Sequence, residues 1–534
     1  MKRNKILLCV SAVLIIALTT GGILLKNYIY NNTNGKEALN YTESEIVMNN
    51  IDTGKTVVDN ETQYQTLSGF GASACWWAQE VGAWENAEEI LSYLYSEDKG
   101  IGLNIYRYNL GAGSQNDKNL YVKMNRTEGF MTDGGTYDFS RDANAQQCLE
   151  IAKRLAGDNL RVMLFANSAP VQLTKNGKAY SSAPENDSDP FVSNLAPENY
   201  EAYADYLYAC AEYFVNSGYR VTGISPVNEP QYKWRAWKNG DGTFSMNQEG
   251  GFYSPEEVRD LLLVLVNKFN NSPLHDKGVR LTMFECGEAE GENTVSSAYF
   301  EKILGTGKEN GKYNRELRTY FDSVAIHSYW SSKETKQYAA ELLKNKYPTY
   351  SVACTEYCQM TNDGNNGVLD LIKEEGGSTN GMSIDYGLAM ADIIMTDLTV
   401  LNATEWNWWL GCSYGVYPDG LVYINAEDHS KIETSKRLWC LGNFSKFIEE
   451  GAVRLAASSG KEDLPMVAFK NTDGSNVLVF LNKTEKDIST DISEILQNSY
   501  KAYITDKDRD IELTDTVSDG LLTVPSKSII SIIY

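Results

Sequence analysis

From about Leu67 to Phe447, short apolar runs alternate with longer stretches in which apolar side chains recur every three or four residues. The short runs are bounded by turn residues and read as strands, and the longer ones read as amphipathic helices. Eight runs stand out: Leu67–Ser73, Leu103–Leu110, Arg161–Asn167, Val221–Asn228, Arg280–Glu285, Asp322–His327, Thr349–Thr355 and Ala403–Trp408. Between them lie helical stretches such as Ala143–Leu155, Glu198–Asn216, Pro255–Phe269 and Ile384–Val400. The third has a clear start: Ser254 can cap it, Pro255 suits its first turn, and Glu256 and Glu257 sit near the positive end of the dipole. Eight strand–helix repeats predict an α/β fold, a (β/α)8 barrel, with a doubly wound open sheet as the alternative.

The texture changes after Glu450. Val477–Leu481, Lys501–Thr505 and Leu521–Tyr534 are short β-type runs separated by turn clusters such as Thr472-Asp473-Gly474. They predict a small antiparallel β-sandwich side domain over 448–534. The β-like stretch 51–66 is expected to join that sheet, which leaves 67–447 to the barrel.

The amino terminus reads as an address. Lys2, Arg3 and Lys5 precede an apolar run from Ile6 to Leu25, the layout of a signal peptide or a membrane anchor. No A-x-A site closes the run, which favours an uncleaved anchor. Residues 26–50, rich in Asn, Thr and Glu, read as a polar tether. The chemistry is therefore expected outside the cell, secreted or anchored to the membrane.

Composition narrows the partners. Hydrophobic residues at 42% and charged ones at 22% fit a folded chain, and a net charge of −23 argues against capture of nucleic acid. The three histidines (His275, His327 and His429) lack metal-ligand spacing, and the nine cysteines include no Cys-x-x-Cys pair. Neither a metal ion nor a cofactor is expected, and the chain is expected to act as a monomer. The 34 Tyr and 10 Trp supply rings with one apolar face and a polar edge, suited to sugars.

In such a barrel, reactive side chains stand at the carboxyl ends of strands. Strand four ends Ser225-Pro-Val-Asn228-Glu229-Pro230, and strand seven ends Ser351-Val-Ala-Cys-Thr-Glu356-Tyr357. Two carboxylates facing one another across the mouth are what glycoside hydrolysis requires, one to protonate the leaving oxygen and one to attack the anomeric carbon or activate water.

These residues, in this order, resemble glycoside hydrolase family 30, from about Leu67 to the carboxyl terminus. The likeness is carried by Leu67-Ser-Gly-Phe-Gly-Ala-Ser, Leu103-Asn-Ile-Tyr-Arg107-Tyr-Asn-Leu-Gly and Ser225-Pro-Val-Asn228-Glu229-Pro230. Ala325-Ile-His327-Ser-Tyr329, Glu356 and Thr404-Glu-Trp406-Asn-Trp408-Trp409 complete it. The resemblance implies a retaining mechanism with Glu229 as acid/base and Glu356 as nucleophile. It implies that Arg107 keeps the nucleophile ionised, that Asn228 binds the 2-hydroxyl, that His327 and Tyr329 line the site, and that Trp406 lies under the reactive sugar.

Two departures bear on specificity. Members like glucosylceramidase carry an acidic residue shortly after the strand-one glycines, where this chain has Ala74-Cys75-Trp76-Trp77-Ala78-Gln79. Strand three ends Asn167-Ser-Ala-Pro-Val-Gln172, without the Trp many members have. Trp76-Trp77-Ala78, Pro230-Gln-Tyr-Lys-Trp234 and Gln248-Glu249-Gly250 look most like the endo-β-1,6-galactanase branch, implying a β-linked galactan as substrate. A β-1,6 chain turns freely, so its cleft should offer separate platforms: Trp76, Trp77, Trp234, Trp237, Trp330 and Trp408 are the candidates. Other expectations are a β-1,6-glucanase, a β-glycosidase, and a non-catalytic sugar-binding surface protein.

Overall fold

The computed structural model describes residues 53–534 apart from 183–190, 290, 292–296, 306–310, 375, 377, 378, 497 and 498. The segments read as signal or anchor and as tether lie outside the described residues. Among the described residues, no helix is long and apolar enough to cross a membrane.

All eight predicted strands form, and they close into a barrel. Strands one to four are Gly69–Ser73, Ile105–Asn109, Arg161–Phe165 and Arg220–Ser225. Strands six to eight are Ser323–His327, Ser351–Glu356 and Ala403–Trp408. Strand five comes in two pieces. Arg280–Leu281 pairs with strand four and Glu285–Cys286 pairs with strand six, so the parallel sheet closes across this break. The bridge between Asn228 and Glu285 continues the contact with strand four toward the mouth.

The helices follow the apolar periodicity. Pro255–Phe269 buries Val258, Leu261, Leu262, Leu265, Val266 and Phe269 along one face. Its start is a full capping box: Ser254 Oγ accepts from the Glu257 N–H, and Glu257 Oε2 accepts from the Ser254 N–H at 2.8 Å. Ile384–Thr399 is apolar on more than one side and is correspondingly buried between barrel and side domain.

The carboxyl-terminal part is a two-sheet β-sandwich. Val57–Thr66, Val453–Ser458, Met466–Lys470, Asn476–Asn482, Ser528–Ile533, Lys501–Thr505 and Glu512–Thr514 lie side by side in that order. The second sheet is formed by Ile488–Asp491, Leu521–Val524 and Val517–Ser518. Between the two lies a core that includes Leu478, Phe480, Ile504, Leu522 and Ile530.

Polar contacts join this domain to the barrel. The buried Arg454 donates to Gln65 Oε1 at 2.8 Å and Asn402 Oδ1 at 2.7 Å, and its guanidinium lies 3.9 Å from the Tyr64 ring centre. Gln65 in turn donates to the carbonyls of Leu398 and Ala403. Arg454→Leu would take the donor from the buried Gln65 Oε1 and from the half-buried Asn402 Oδ1, and should cost about 2–4 kcal/mol of unfolding free energy, read from the urea midpoint.

Candidate active site

Arg107 is the buried centre of the mouth. Its parity on strand two points it into the barrel, where it has no solvent exposure and lies flat on the Phe165 ring at 3.6 Å. Nη1 donates to Glu356 Oε2 at 2.7 Å, and Nη2 donates to Glu285 Oε2 at 2.9 Å and Asn228 Oδ1 at 3.2 Å. Four different strands or strand ends thus meet on one guanidinium.

His327, at the end of strand six, links the remaining carboxyl. Nδ1 lies 2.8 Å from Glu229 Oε1 and Nε2 lies 3.2 Å from Glu285 Oε2. Burial alone would lower its pKa, but the charge of Glu356 and the hydrogen bonds to Glu229 and Glu285 push it up to about 10. With a carboxyl facing each nitrogen, these surroundings favour the doubly protonated ring, which can donate to both. Burial works against ionised Glu285 as well, yet Arg107 and His327 bring it down to about 2. Burial raises Glu356 above the ordinary carboxylate range, with His327 and Arg107 opposing the rise. Glu356 Oε1 also accepts from the Tyr329 hydroxyl at 3.1 Å.

His327 Nδ1 and one oxygen each of Glu229 and Glu356 lie within 4.8 Å of one another, close enough to surround a metal ion.

Glu229 has a backbone unlike its neighbours. Its φ is +45°, a left-handed conformation that costs a non-glycine residue about 1–3 kcal/mol. Its loop holds it from both sides: the Glu229 N–H donates to the Glu285 carbonyl at 2.8 Å, and the Trp234 indole N–H donates to the Glu229 carbonyl at 3.0 Å. Trp234 lies across Gly250, where an added Cβ would come within 2.4 Å of the indole. The neighbouring Glu249 accepts from the Thr127 hydroxyl at 2.6 Å and the Ala112 N–H at 3.2 Å, and burial lifts it to about 7. The stretch Gln248-Glu249-Gly250 therefore seats the brace behind Glu229.

Of the residues singled out in the sequence, Glu229, Glu356, Arg107, Asn228, His327 and Tyr329 come together at the mouth. Trp406, Trp408 and Trp77 do not. The Trp406 indole is fully buried and donates to Asp397 on the helix behind strand eight. Trp408 shares its parity, is equally buried, and donates to the Asp419 carbonyl at 2.6 Å. Trp77 packs in the core and donates to the Ser73 carbonyl. Trp234 is half-buried and acts as a brace.

Two further residues complete the mouth. Glu285 ends the fifth strand, and the strand-end rule applied to strands four and seven marks it equally. Trp409 has the inward parity of Glu405 and Asn407; its ring stands 5.8 Å from Arg107 and meets Trp76 edge-on at 5.3 Å. Close by, Asn167 donates to Asn109 Oδ1 at 3.3 Å and leaves its own buried Oδ1 without a partner among the described residues.

A barrel with a charged cluster of carboxyls at its mouth and a β-sandwich packed beside it defines a glycosidase-type hydrolase. The chain belongs to O-glycosyl hydrolase family 30, whose profile matches residues 53–423, followed by the family 30 β-sandwich domain over 451–532. It is 24% identical over 420 residues to an endo-β-1,6-galactanase of Hypocrea rufa, covering 74% of each chain. It is 22% identical over 504 residues to the lysosomal acid glucosylceramidase of Mus musculus, covering 92% of this chain and 87% of that one. A conserved exported protein from Bacteroides fragilis shares the fold with a TM-score of 0.76 at 23% identity, over 90% of this chain and 100% of that one.

The raised His327 has a measurable consequence. Its folded pKa of about 10 exceeds the ordinary 6.5, so its stabilising contribution is full below about pH 6.5 and is lost as pH rises toward 10. Nitrogen-15 NMR should find one histidine still doubly protonated at pH 8, absent in His327→Gln. That variant should also flatten the decline in melting temperature between pH 7 and 10. A neutral ring at pH 7 would reject the charge assignment.

Proposed function

We propose that this chain is a retaining endo-β-1,6-galactanase that cleaves internal bonds of galactan or arabinogalactan side chains. The observation that carries the mechanism is the closeness of Glu229 and Glu356, with oxygens within 4.8 Å of one another. Retaining glycosidases hold their carboxyls about 5–5.5 Å apart, whereas inverting ones leave about 6.5–9.5 Å for a water.

In this reading, Glu356 is the nucleophile. Arg107 Nη1 and the Tyr329 hydroxyl hold one oxygen each and aim the carboxylate at the anomeric carbon. Glu229 protonates the leaving oxygen while the glycosyl–Glu356 bond forms. It then takes a proton from the water that breaks that bond, which returns the product with the β-configuration. His327 stays charged throughout and fixes the Glu229 carboxyl by its Nδ1–H. Asn228 accepts from Arg107 through Oδ1, which leaves its amide N–H2 to donate to the sugar's 2-hydroxyl.

The galactan reading rests on the likeness to the Hypocrea rufa enzyme and on the stretch after strand one, Ala74-Cys75-Trp76-Trp77-Ala78-Gln79, which carries no acidic residue. The likeness to glucosylceramidase across 92% of the chain favours a second reading, a β-glucoside specificity on the same machinery. The basic and apolar amino terminus supports action outside the cell, by a secreted or membrane-anchored single chain.

Glu356→Ala should abolish turnover, with azide restoring it as an α-glycosyl azide. Glu229→Ala should slow natural substrates by about 10²–10⁴-fold, spare good leaving groups in the first step, and give a β-glycosyl azide. Swapped anomers would reverse the roles, and an α-anomer as the first hydrolysis product would reject retention. On a panel of linkage-defined glycans, β-1,6-galactan should be cut to short oligosaccharides, with little action on β-1,3-galactan, xylan or glucosylceramide. Faster cleavage of β-1,6-glucan would remove the galactan specificity and leave the chemistry standing.

A further inference from the structure

Most large rings in this chain are covered. Among the described residues four aromatic side chains stand exposed, namely Tyr121, Trp237, Phe244 and Tyr338. Three of them belong to one surface feature. Trp237–Lys238 and Phe244–Ser245 form a two-stranded hairpin that follows the Glu229 loop, and Tyr121 is tied beside it through its N–H to the Met246 carbonyl.

The exposure of Trp237 has a structural reason. Along 233–237 the chain alternates: Trp234 and Ala236 turn in to pack with Leu120, Tyr180 and Met246, while Lys233, Arg235 and Trp237 turn out. The small cluster beneath anchors the hairpin, so the outward indole is presented from a fixed base. Trp237 remains 47% exposed and Tyr121 58% exposed, although the two rings meet at 5.8 Å and 66°. An edge-on pair covers one ring face and leaves the others to water.

Beyond Trp237 the rim of this surface is polar and uncharged, while Lys233 and Arg235 stand on the outward side before it. Ser245 pairs directly with Trp237, so its hydroxyl stands beside the indole. Asn239 lies two positions further along that face, and its amide donates to Ser245 Oγ at 2.9 Å and Thr243 Oγ1 at 2.8 Å. An open indole flanked by a phenol, an amide and two hydroxyls suits a sugar ring, which has apolar C–H faces and a hydroxyl edge.

We propose that Trp237 and Tyr121 form a distal platform that binds remote, uncleaved units of the substrate glycan and guides the chain toward Glu229. Continuity with the mouth supports that occupant. Trp234 holds the Glu229 carbonyl, and Trp237 follows it by three residues, a span of at most about 11 Å between their Cα atoms. The platform deepens the polysaccharide reading above and rests on it. It explains how a long chain could be gripped without adding a group to the charged cluster.

The test pairs polymer with short substrate. In Trp237→Ala, KM for β-1,6-galactan polymer should rise about three- to tenfold, while kcat and both constants for the shortest cleaved oligosaccharide stay unchanged. Trp237→Phe should recover most of the loss, and Tyr121→Ala should give a smaller shift in the same direction. A purely structural role would instead lower the melting temperature and affect both substrates alike. Gels containing β-1,6-galactan or β-1,6-glucan supply an independent readout: wild type should be retarded and Trp237→Ala less so. Retardation that is absent from both gels, or equal for the two proteins, would overturn the platform. Retardation without cleavage of galactan would overturn the substrate reading alone.

Discussion

A fully buried guanidinium organises this protein. Removing the Arg107 charge from water costs several kcal/mol, a cost that the Phe165 ring beneath it offsets only in part and that anions must meet. Glu356 and Glu285 meet it, each on its own nitrogen. The dependence is mutual, because three carboxyls could not share so small a space without opposing charge. Arg107 and His327 together balance two of the three, so the cluster is neutral when one proton remains among the carboxyls. A resting site that holds one transferable proton is what acid/base chemistry needs. Glu285 has both cations as donors and Glu356 has Arg107 and Tyr329, whereas the one side-chain donor of Glu229 among the described residues is His327.

The same arrangement explains the shape of the loop after strand four. Glu229 must leave its strand and turn back toward His327, and a left-handed φ achieves that turn in a single residue. Such a conformation persists only where its surroundings over-determine it. Here the Glu285 carbonyl takes its N–H and the Trp234 indole takes its carbonyl. The break in strand five belongs to the same solution, since the Glu285 half pairs with strand six and also accepts from Glu229.

Much of this was legible in the sequence, and the exceptions have physical causes. Strand–helix alternation located all eight barrel strands, because buried parallel strands are short apolar runs with turn residues at both ends. Glu229 and Glu356 were visible as polar residues that terminate such runs. Glu285 ends a run by the same rule, but the carboxyl pair that glycoside hydrolysis requires is complete without it, so nothing in the pattern sets it apart from an ordinary strand residue. Strand eight misled for a different reason. Trp406, Trp408 and Trp409 place rings at both parities, so the pattern does not reveal which parity faces inward. Asp397, nine residues earlier on a helix, decides it by accepting from Trp406, and that contact has no signature in one sequence. Trp77 shows the complementary case: an indole at a loop can close a core as readily as it can hold a sugar.

Reaction chemistry and substrate choice are therefore carried by different parts of the molecule. Arg107, His327, Glu356 and the Glu285 half-strand are fixed by sheet register, so shifting any one strand by a residue would turn its charge out of the barrel. The reaction class itself follows from the match to glycoside hydrolase family 30. The rings at Trp76, Trp237 and Tyr121 stand on loops and a hairpin, where length and sequence vary without disturbing the barrel. The galactan reading accordingly draws on the loops, and the retaining reading draws on the strands. Evidence for one does not transfer to the other, which is why a strand residue such as Glu356 and a hairpin residue such as Trp237 probe independent halves of the same function.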